Sequence, residues 1–445
     1  MKKNLWIWAI AALSMAACTS EDVPTTEQIV TENDWISPDG RVVVQLGAES
    51  TPAAVISRAP IEGDEITALE DLGIFAINRD EAITTEEFGD WPNTIDNVLL
   101  KNVKAKGTDI EPLDNVVNFG KRLSLYKTND SESGAVYYYP IQGNQNYNFY
   151  GYQPRTGAAV VLNSGKPQVT ITLDGDVDLI TGEAPAAPTV NETDLYVTEA
   201  TAEATATKGT GGELNGYNAK YVRKVKFHNW IIDESQNKGT NAIATSEKKP
   251  FIPNISFEHR LTKLNFQIIT AKEQTGGGNQ NESTETGGDR QEATTLRVNT
   301  IKLTNVNRAA ALSIEPTMPI TFSDRGELAM IENETATNIW EGDDIIPQNY
   351  EITDYASAGY LMVPATDEIA DYATYPYSIT LNVKSTDSAG VPQTQAITLS
   401  LKDQTFEAGK SYNIRIALYA LQKVYVSAEL TPWDTNTDDV YIPVE

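Results

Sequence analysis

The chain has little of what most catalytic and metal sites require. Its 445 residues include one cysteine and two histidines, and no HExxH, GxSxG or Walker-type phosphate loop occurs. His228 and His259 are too few, and too poorly accompanied by other ligands, for a metal site. His259 lies in an alternating segment and is interpreted as a hydrogen-bonded structural residue. Carboxylates are spread along the whole chain, so no acid pair stands out as a glycosidase site. The sequence therefore predicts no enzyme activity and no cofactor.

One calcium-like pattern occurs near the C-terminus. Asp434, Asn436, Asp438 and Glu445 have the spacing of ligands in an EF-hand loop. Asp439, however, occupies the position that requires glycine, and the flanking segments have the pattern of strands, not helices. No metal site is predicted from it.

Positive charge is also scarce. Lysine and arginine number 34 against 62 aspartates and glutamates, which gives a net charge of −28. Nucleic acids are held by basic residues that neutralise phosphates, and anionic membranes attract the same residues. This composition argues against both partners and fits a solvated extracellular surface.

The N-terminal apolar run is too short to span a bilayer. It extends from Leu5 to Ala12 behind a basic start, and Met15–Cys18 then forms a small-residue cleavage site that ends in cysteine. This pattern resembles a bacterial lipobox, so residues 1–17 are predicted to be a signal peptide and Cys18 to carry lipid. The alternative is an ordinary signal peptide with an incidental cysteine. Thr19–Asp22 resembles the surface-export signal of Bacteroidetes lipoproteins, which indicates the outer membrane.

No long segment repeats apolar residues at helical spacing. Instead apolar and polar residues alternate, as in Val169–Leu173, Tyr377–Val383 and Ala396–Leu401, which is typical of half-buried antiparallel strands. A domain typically contains about 100–200 residues, so the chain should form two. The Ala-, Thr- and Gly-rich segment Thr198–Gly216 lacks a strand pattern and is taken as the boundary between them. The sequence predicts an all-β chain with two tandem antiparallel β-sandwich domains, 59–210 and 217–445, after a leader, 18–58.

Two parts of the chain have similar one-faced strand patterns. In the leader, Val42, Val44 and Leu46 share one face. Near the C-terminus two segments resemble it; their apolar residues are Val424, Val426, Ala428 and Leu430 in the first, and Val440, Ile442 and Val444 in the second. The first segment could instead complete the second sandwich, and this alternative remains open. Pro443 removes a backbone donor from the second segment and suits an edge strand.

Several short motifs follow one another in an order that resembles one family. After the lipobox they are Arg41–Leu46, Ile56–Pro60, Gly63–Asp64, Leu72–Ala76, Tyr137–Pro140, Tyr147–Pro154, Asp194–Tyr196, Phe257–Phe266, Gly409–Ile414 and Leu430–Trp433. Together they resemble the Bacteroidales fimbrillins, the pilins of the protease-assembled type V pili. The resemblance spans nearly the whole chain, and the order of the motifs carries it.

The resemblance implies Greek-key, transthyretin-like sandwiches and polymerisation by strand exchange. A trypsin-like or arginine-specific protease cuts the lipidated precursor, the first strand leaves, and a C-terminal strand of another subunit fills the groove. Arg58 matches the cleavage position, so the mature chain would begin at Ala59. The implied partners are other copies or homologous pilins, the protease, the outer membrane before processing, and a host or bacterial surface receptor. The implied final location is the fimbrium.

A rival function from another class is a monomeric surface lipoprotein that binds glycan or host protein. The aromatic runs Tyr137–Tyr139 and Tyr147–Tyr152 could form a sugar-binding platform if they were exposed together. Our interpretation is structural, because rings on adjacent strands stabilise a sheet through cross-strand pairs.

Overall fold

The structure, a computed structural model, describes seventeen parts of the chain. They are residues 35–50, 69–93, 95, 97–108, 121–128, 130–141, 145–184, 190–191, 213–214, 217–223, 252–270, 296–330, 340–341, 344–347, 358–386, 390–420 and 423–431. Twenty-one strands run through these residues. Helical residues are few: the short helix α1 covers Thr85–Asp90 and begins with a Thr84–Glu87 capping box, residues 219–223 are also helical, and a 3-10 turn covers Thr366–Glu368. The prediction of an all-β chain is confirmed.

Seven strands close into a barrel. In spatial order they are β1 (Gly47–Ser50), β11 (Asn254–His259), β8 (Ile180–Glu183), β5 (Tyr147–Gln153), β2 (Leu72–Asn78), β3 (Val98–Thr108) and β4 (Lys121–Leu125), and β4 pairs again with β1. Closure leaves the sheet with no free edge. The first sheet is thus closed, because β1 bridges the gap between β4 and β11.

The second half of the chain forms two further sheets. One has the order β17 (Gly359–Pro364), β12 (Leu261–Thr270), β20 (Ser411–Ala420) and β21 (Lys423–Thr431). The other has the order β15 (Trp340–Glu341), β16 (Asp344–Ile345), β13 (Arg297–Ser313), β18 (Ser378–Thr386) and β19 (Pro392–Ser400), with β14 (Ile320–Ala329) also paired to β13. Both sheets contribute to one core, in which Phe266, Ile416 and Leu381 are buried.

The period-two pattern explains how these strands form. Val169 and Ile171 are buried on β7 (Lys166–Thr172) while their neighbours are more exposed, and Ile379, Leu381 and Val383 are buried in the same way on β18. Most pairings are antiparallel, as predicted. Two are parallel, β1 with β11 and β12 with β20. Parallel neighbours need long connections, and local alternation does not predict them.

The long strand β13 joins strands from the two halves of the chain in one sheet outside the barrel. Its first part pairs with β18, and its last part, Ala309–Ser313, pairs with β7, which also pairs with β6 (Val161–Asn163). A third core lies at this junction and contains Phe75 and Tyr152 from the barrel together with Leu312 and Met362. The two halves therefore share a hydrogen-bonded strand and a core. A separate two-stranded ribbon consists of β9 (Val190–Asn191) and β10 (Glu213–Leu214).

The barrel includes residues from beyond the predicted boundary at 217. Tyr217, Ala219 and Tyr221 are buried in the barrel core, and β11 pairs with both β8 and β1. The Ala-, Thr- and Gly-rich segment therefore interrupts the strand pattern without ending the hydrogen-bonded sheet. The domain ranges 59–210 and 217–445 themselves stay a prediction.

A substitution at Gly182 tests how closely β8 approaches β11. A Cβ at this position would press against the Ser256 carbonyl oxygen and lie 2.9 Å from Cγ2 of Ile255. Gly182→Ala should therefore lower the free energy of unfolding by about 1–3 kcal/mol. The matched control is Gly157→Ala, where nothing lies within 4 Å of the added Cβ, and it should change stability by no more than about 0.5 kcal/mol. Urea denaturation of both variants measures the difference, and equal stabilities would contradict the close approach.

Candidate functional site

The leader strand, defined here as residues 42–50, lies between two barrel strands. On one side the Val44 amide donates to the Tyr137 carbonyl (2.8 Å), the Tyr139 amide donates to Val42 (3.0 Å), and the Leu123 amide donates to Leu46 (3.1 Å). On the other side the Gly47 amide donates to the Pro253 carbonyl (2.9 Å). Gly47 pairs with Arg122 of β4 in antiparallel register and with Asn254 of β11 in parallel register. The leader strand thus completes the hydrogen-bonded ladder on both sides.

The inward face of the leader strand belongs to the barrel core. Val42, Val44, Leu46 and Ala48 are all buried there. These include the three apolar residues that the sequence placed on one face. The opposite face is also buried, since Val43 and Gln45 have exposed fractions of 1% and 3%. The leader strand is therefore enclosed on both faces, whereas a one-faced pattern predicts one solvated face.

Gln45 makes a buried polar contact on this opposite face. The Arg122 guanidinium, through Nη2, donates to Oε1 of Gln45 at 2.9 Å, and Arg122 is only 2% exposed. A buried charge is costly unless hydrogen bonds compensate it. Sequence reasoning did not identify Gln45, Arg122 or Asn254, because no local pattern distinguishes a buried polar residue of a strand from an exposed one.

Most rings of the aromatic runs lie in the protein interior, whereas Tyr137 and Tyr138 are half-buried. Tyr139 contacts Tyr147 and Phe149 with ring centroids 6.1 and 6.4 Å apart, and Phe149 meets the Tyr217 ring edge-on at 5.8 Å. Burial, with neighbouring Tyr217 and Tyr147, raises the pKa of Tyr139 well above its usual value. Burial also raises the pKa of Tyr152 to about 12. These rings fill the core, as the structural interpretation holds, and are not exposed together as a platform.

His259 is paired with a buried carboxylate. Its Nδ1 atom contacts Oδ2 of Asp178, and burial raises the pKa of Asp178 even though His259 acts in the opposite direction. The interpretation of His259 as a hydrogen-bonded structural residue is confirmed. In the described part of the chain, no group of three or more His, Cys, Asp or Glu side chains could hold a metal ion. His228 and the EF-hand-like segment, residues 434–445, lie outside the described residues.

The first C-terminal candidate segment forms β21. It pairs with β20 from Ser411↔Thr431 to Leu418↔Val424, and its Ala428 side chain is buried in the second core, against which Val426 packs. Within the residues that the structure describes, β20 is the strand that pairs with β21, so β21 forms an edge of its sheet. Residues 424–430 thus occupy the position expected if they complete the second sandwich, which is the alternative to their acting as a donor strand.

The remaining predicted site residues are not covered by the structure. Cys18, Arg58, Ala59, Val440, Ile442 and Val444 lie outside the described residues. No helix within the described ranges is long and apolar enough to cross a membrane.

Comparison with solved structures finds cell adhesion and fimbrial proteins of Bacteroidales. A candidate cell adhesion protein from Bacteroides uniformis has a TM-score of 0.42 and 14% identity, over 89% of this chain and 100% of that chain. A fimbrial assembly protein from Parabacteroides distasonis has a TM-score of 0.35 and 8% identity, over 90% of this chain and 99% of that chain. The fimbrial anchor protein Mfa2 from Porphyromonas gingivalis has a TM-score of 0.34 and 9% identity, over 88% of this chain and 97% of that chain.

These matches are consistent with the fimbrillin resemblance of the sequence motifs. No family model and no curated protein matches the chain. The leader strand and its neighbours are the features of the molecule that bear on its function.

A substitution at Val42 tests whether the leader strand stabilises the barrel. Val42→Ala should lower the free energy of unfolding of the uncut chain by about 2 kcal/mol, because it removes buried apolar volume. The same substitution at Val161, which is 51% exposed, should change stability by less than about 0.5 kcal/mol. Thermal and urea unfolding compare the two variants. If Val42→Ala is as stable as Val161→Ala, the leader strand does not support the barrel.

Proposed function

We propose that this chain is the precursor of a structural subunit of an adhesive surface fimbria, assembled by proteolytic removal of the leader strand and donor-strand exchange. The observation that carries the proposal is the position of the leader strand, which closes the barrel between β4 and β11. It is also the first part of the described chain to enter the barrel, so one cut after it would release a complete strand.

The energetics favour refilling the vacated groove. Val42, Val44 and Leu46 are buried, and each contributes about 1.5–3 kcal/mol when fully buried. Their combined contribution is comparable with the roughly 5–15 kcal/mol that stabilises a typical domain. Loss of the strand also leaves unpaired backbone groups on β4 and β11, and such edges recruit other strands.

Arg58 is the proposed cleavage site, and the structure around two other arginines supports this choice. The Arg41 guanidinium pairs with Asp39 at 2.6 Å and lies over the Tyr138 ring at 3.9 Å, while the Arg79 amide donates to the Asn146 carbonyl at 2.7 Å. A protease needs an extended and accessible backbone at its cleavage site. Residues 51–68, which contain Arg58, connect the leader strand to the rest of the barrel.

The donor is proposed to come from the C-terminal part of another subunit. Residues 424–430 already lie in β21, where Ala428 packs in the second core. To act as donor this segment would have to leave β20, which exposes that core. The segment with Val440, Ile442 and Val444 lies outside the described residues, and on its alternating sequence pattern it is the preferred donor.

Before processing, the precursor is proposed to be held at the outer membrane through lipid on Cys18. Its partners are then the processing protease and other copies or homologous subunits, with a host or bacterial surface receptor for the assembled fimbria. The rival proposal is a monomeric surface lipoprotein that binds glycan or host protein and stays anchored. The two proposals differ in what cleavage does to the oligomeric state.

Arg58 variants test the cleavage and the assembly. Digestion of the purified precursor should give a chain that begins at Ala59 and SDS-resistant ladders on gels. Arg58→Ala should prevent both, and Arg58→Lys should prevent both only with an arginine-specific protease. Arg79→Lys is the matched control and should assemble normally. A chain that lacks residues 440–445 should be cut but form no ladder. A shortened monomer from the unmodified precursor would favour the rival lipoprotein.

Cys18→Ala tests the lipid anchor. Without its thiol the precursor cannot accept diacylglycerol, so the variant should leave the membrane fraction and lose metabolic labelling by palmitate. The Arg58→Ala precursor is the matched control, because it should keep its label and remain in the membrane fraction. Unchanged palmitate labelling in the Cys18→Ala precursor would contradict the anchor.

A further inference from the structure

A polar cleft of about 580 Å³ lies between β14 and residues 368–371, with one residue of β13 in its wall. Its volume falls in the range of about 300–1,000 Å³ that is typical of small-molecule sites. The cleft lies outside the barrel, so removal of the leader strand takes no residue from it. The polar side chains in its lining include Asn307, Ser323, Asp324, Arg325, Glu368 and Asp371.

Asn307 brings an unpaired acceptor to the polar cleft. It lies on β13 and is only 4% exposed. Its side-chain oxygen, Oδ1, has no hydrogen-bond partner within the described part of the chain. An unpaired buried carbonyl destabilises the structure that contains it. Because Asn307 lines the polar cleft, Oδ1 can accept from a donor that a ligand brings there.

Arg325 brings a donor to the same place. It is the register partner of Asn307 across the β13–β14 pair, and directly opposed residues of paired strands share a face. Its Nη2 donates to Oδ1 of Asp371, and its Cζ lies 4.3 Å from the centroid of the Tyr375 ring. These two contacts hold the guanidinium in place. Its Nε, however, has no hydrogen-bond partner among the described residues.

The carboxylates of the polar cleft are balanced by arginines. The pairs are Asp371 with Arg325, Asp324 with Arg308 at 3.0 Å, and Glu368 with Arg260 at 3.4 Å. The hydrogen bond from Arg325 lowers the pKa of the Asp371 carboxyl, so this group is ionised at neutral pH and acts as an acceptor. These pairs leave no surplus positive charge for an anion. A neutral ligand rich in hydrogen-bonding groups fits them best.

We propose that the polar cleft binds a neutral saccharide of the surface to which the fimbria adheres. Each sugar hydroxyl can donate and accept a hydrogen bond, and neighbouring ring hydroxyls match a fixed acceptor beside a fixed donor. Oδ1 of Asn307 accepts from one hydroxyl, and Nε of Arg325 donates to the next. This inference rests on the proposed adhesive function and assigns its receptor to a chemical class.

A peptide fits the polar cleft less well than a saccharide. In the described residues β14 pairs with β13, so an extended peptide could add to the other side of β14. Specificity in that mode comes from pockets that take alternate side chains. The apolar residues of the lining, Ile320 and Phe322, already pack against the hydrophobic core at the junction. The polar side chains are therefore the groups that recognise the ligand.

Saccharide binding by the full, uncut precursor tests this inference. The probes are immobilised neutral oligosaccharides of glucose, galactose, mannose and N-acetylglucosamine, together with sialylated and sulfated oligosaccharides as an acidic set. At least one neutral oligosaccharide should bind. The acidic set should bind more weakly, because the positive charges beside the polar cleft are already paired.

Asn307→Leu separates binding from folding. Leucine is similar in size and has no polar atom to leave unpaired, so the variant should be at least as stable in urea as the unmodified precursor. It should nevertheless bind the neutral oligosaccharide about tenfold more weakly, since the ligand loses its partner on β13. Arg325→Lys keeps the charge beside Asp371 but removes Nε, and it should weaken binding to a similar extent. It provides a second test if Asn307→Leu fails to fold.

Asn299→Leu is the matched control on the same strand. The Nδ2 atom of Asn299 donates to Oδ1 of Asp344 at 3.2 Å, outside the polar cleft. Loss of this hydrogen bond should lower the stability in urea and leave saccharide binding unchanged. The control therefore shows the opposite combination of effects to Asn307→Leu.

The outcomes separate this inference from the proposed function. The saccharide site is overturned if no oligosaccharide binds, or if Asn307→Leu and Arg325→Lys bind as tightly as the unmodified precursor. Preferential binding of the acidic set overturns the neutral class of ligand. In each of these cases SDS-resistant ladders after cleavage at Arg58 would leave the fimbrial assembly intact. Neutral saccharide binding without ladders supports the polar cleft and favours the rival lipoprotein.

Discussion

The insertion of the leader strand between β4 and β11 is the constraint on which the rest of the barrel depends. A closed barrel needs every edge paired, and this strand pairs with an edge on either side. It also places Val42, Val44, Leu46 and Ala48 in the core. The barrel requires a strand of this pattern in this place, but backbone pairing does not require that the strand come from the same chain.

The second half of the molecule is built onto this barrel, not linked loosely to it. β13 pairs with β18 at its start and with β7 at its end, and the core around Phe75, Tyr152 and Leu312 is shared. Opening the barrel therefore affects a unit that the remaining sheets support. A groove can persist long enough to be refilled only if the rest of the barrel stays folded, and the core shared with the second half contributes to that.

Local patterns in the sequence predicted the strands but not their partners. Alternation identified the strand residues Val169–Ile171 and Ile379–Val383 and the buried face of the leader strand, because a half-buried strand has a period of two. The parallel pairing of β1 with β11 joins residues about two hundred positions apart, and no local signal specifies it. The same holds for Arg122 and Asn254, whose burial depends on the strand that covers them. The likeness to fimbrillins suggested the exchange but not these polar residues.

Cleavage would act on the exchange equilibrium through the tether. While the leader strand is tethered, it has a high effective concentration at its own groove, and a strand from another subunit cannot compete with it at cellular concentrations. A cut at Arg58 would remove this advantage without changing a contact in the groove. The affinities of the competing strands for the groove would then decide which strand fills it, so proteolysis would determine when exchange begins.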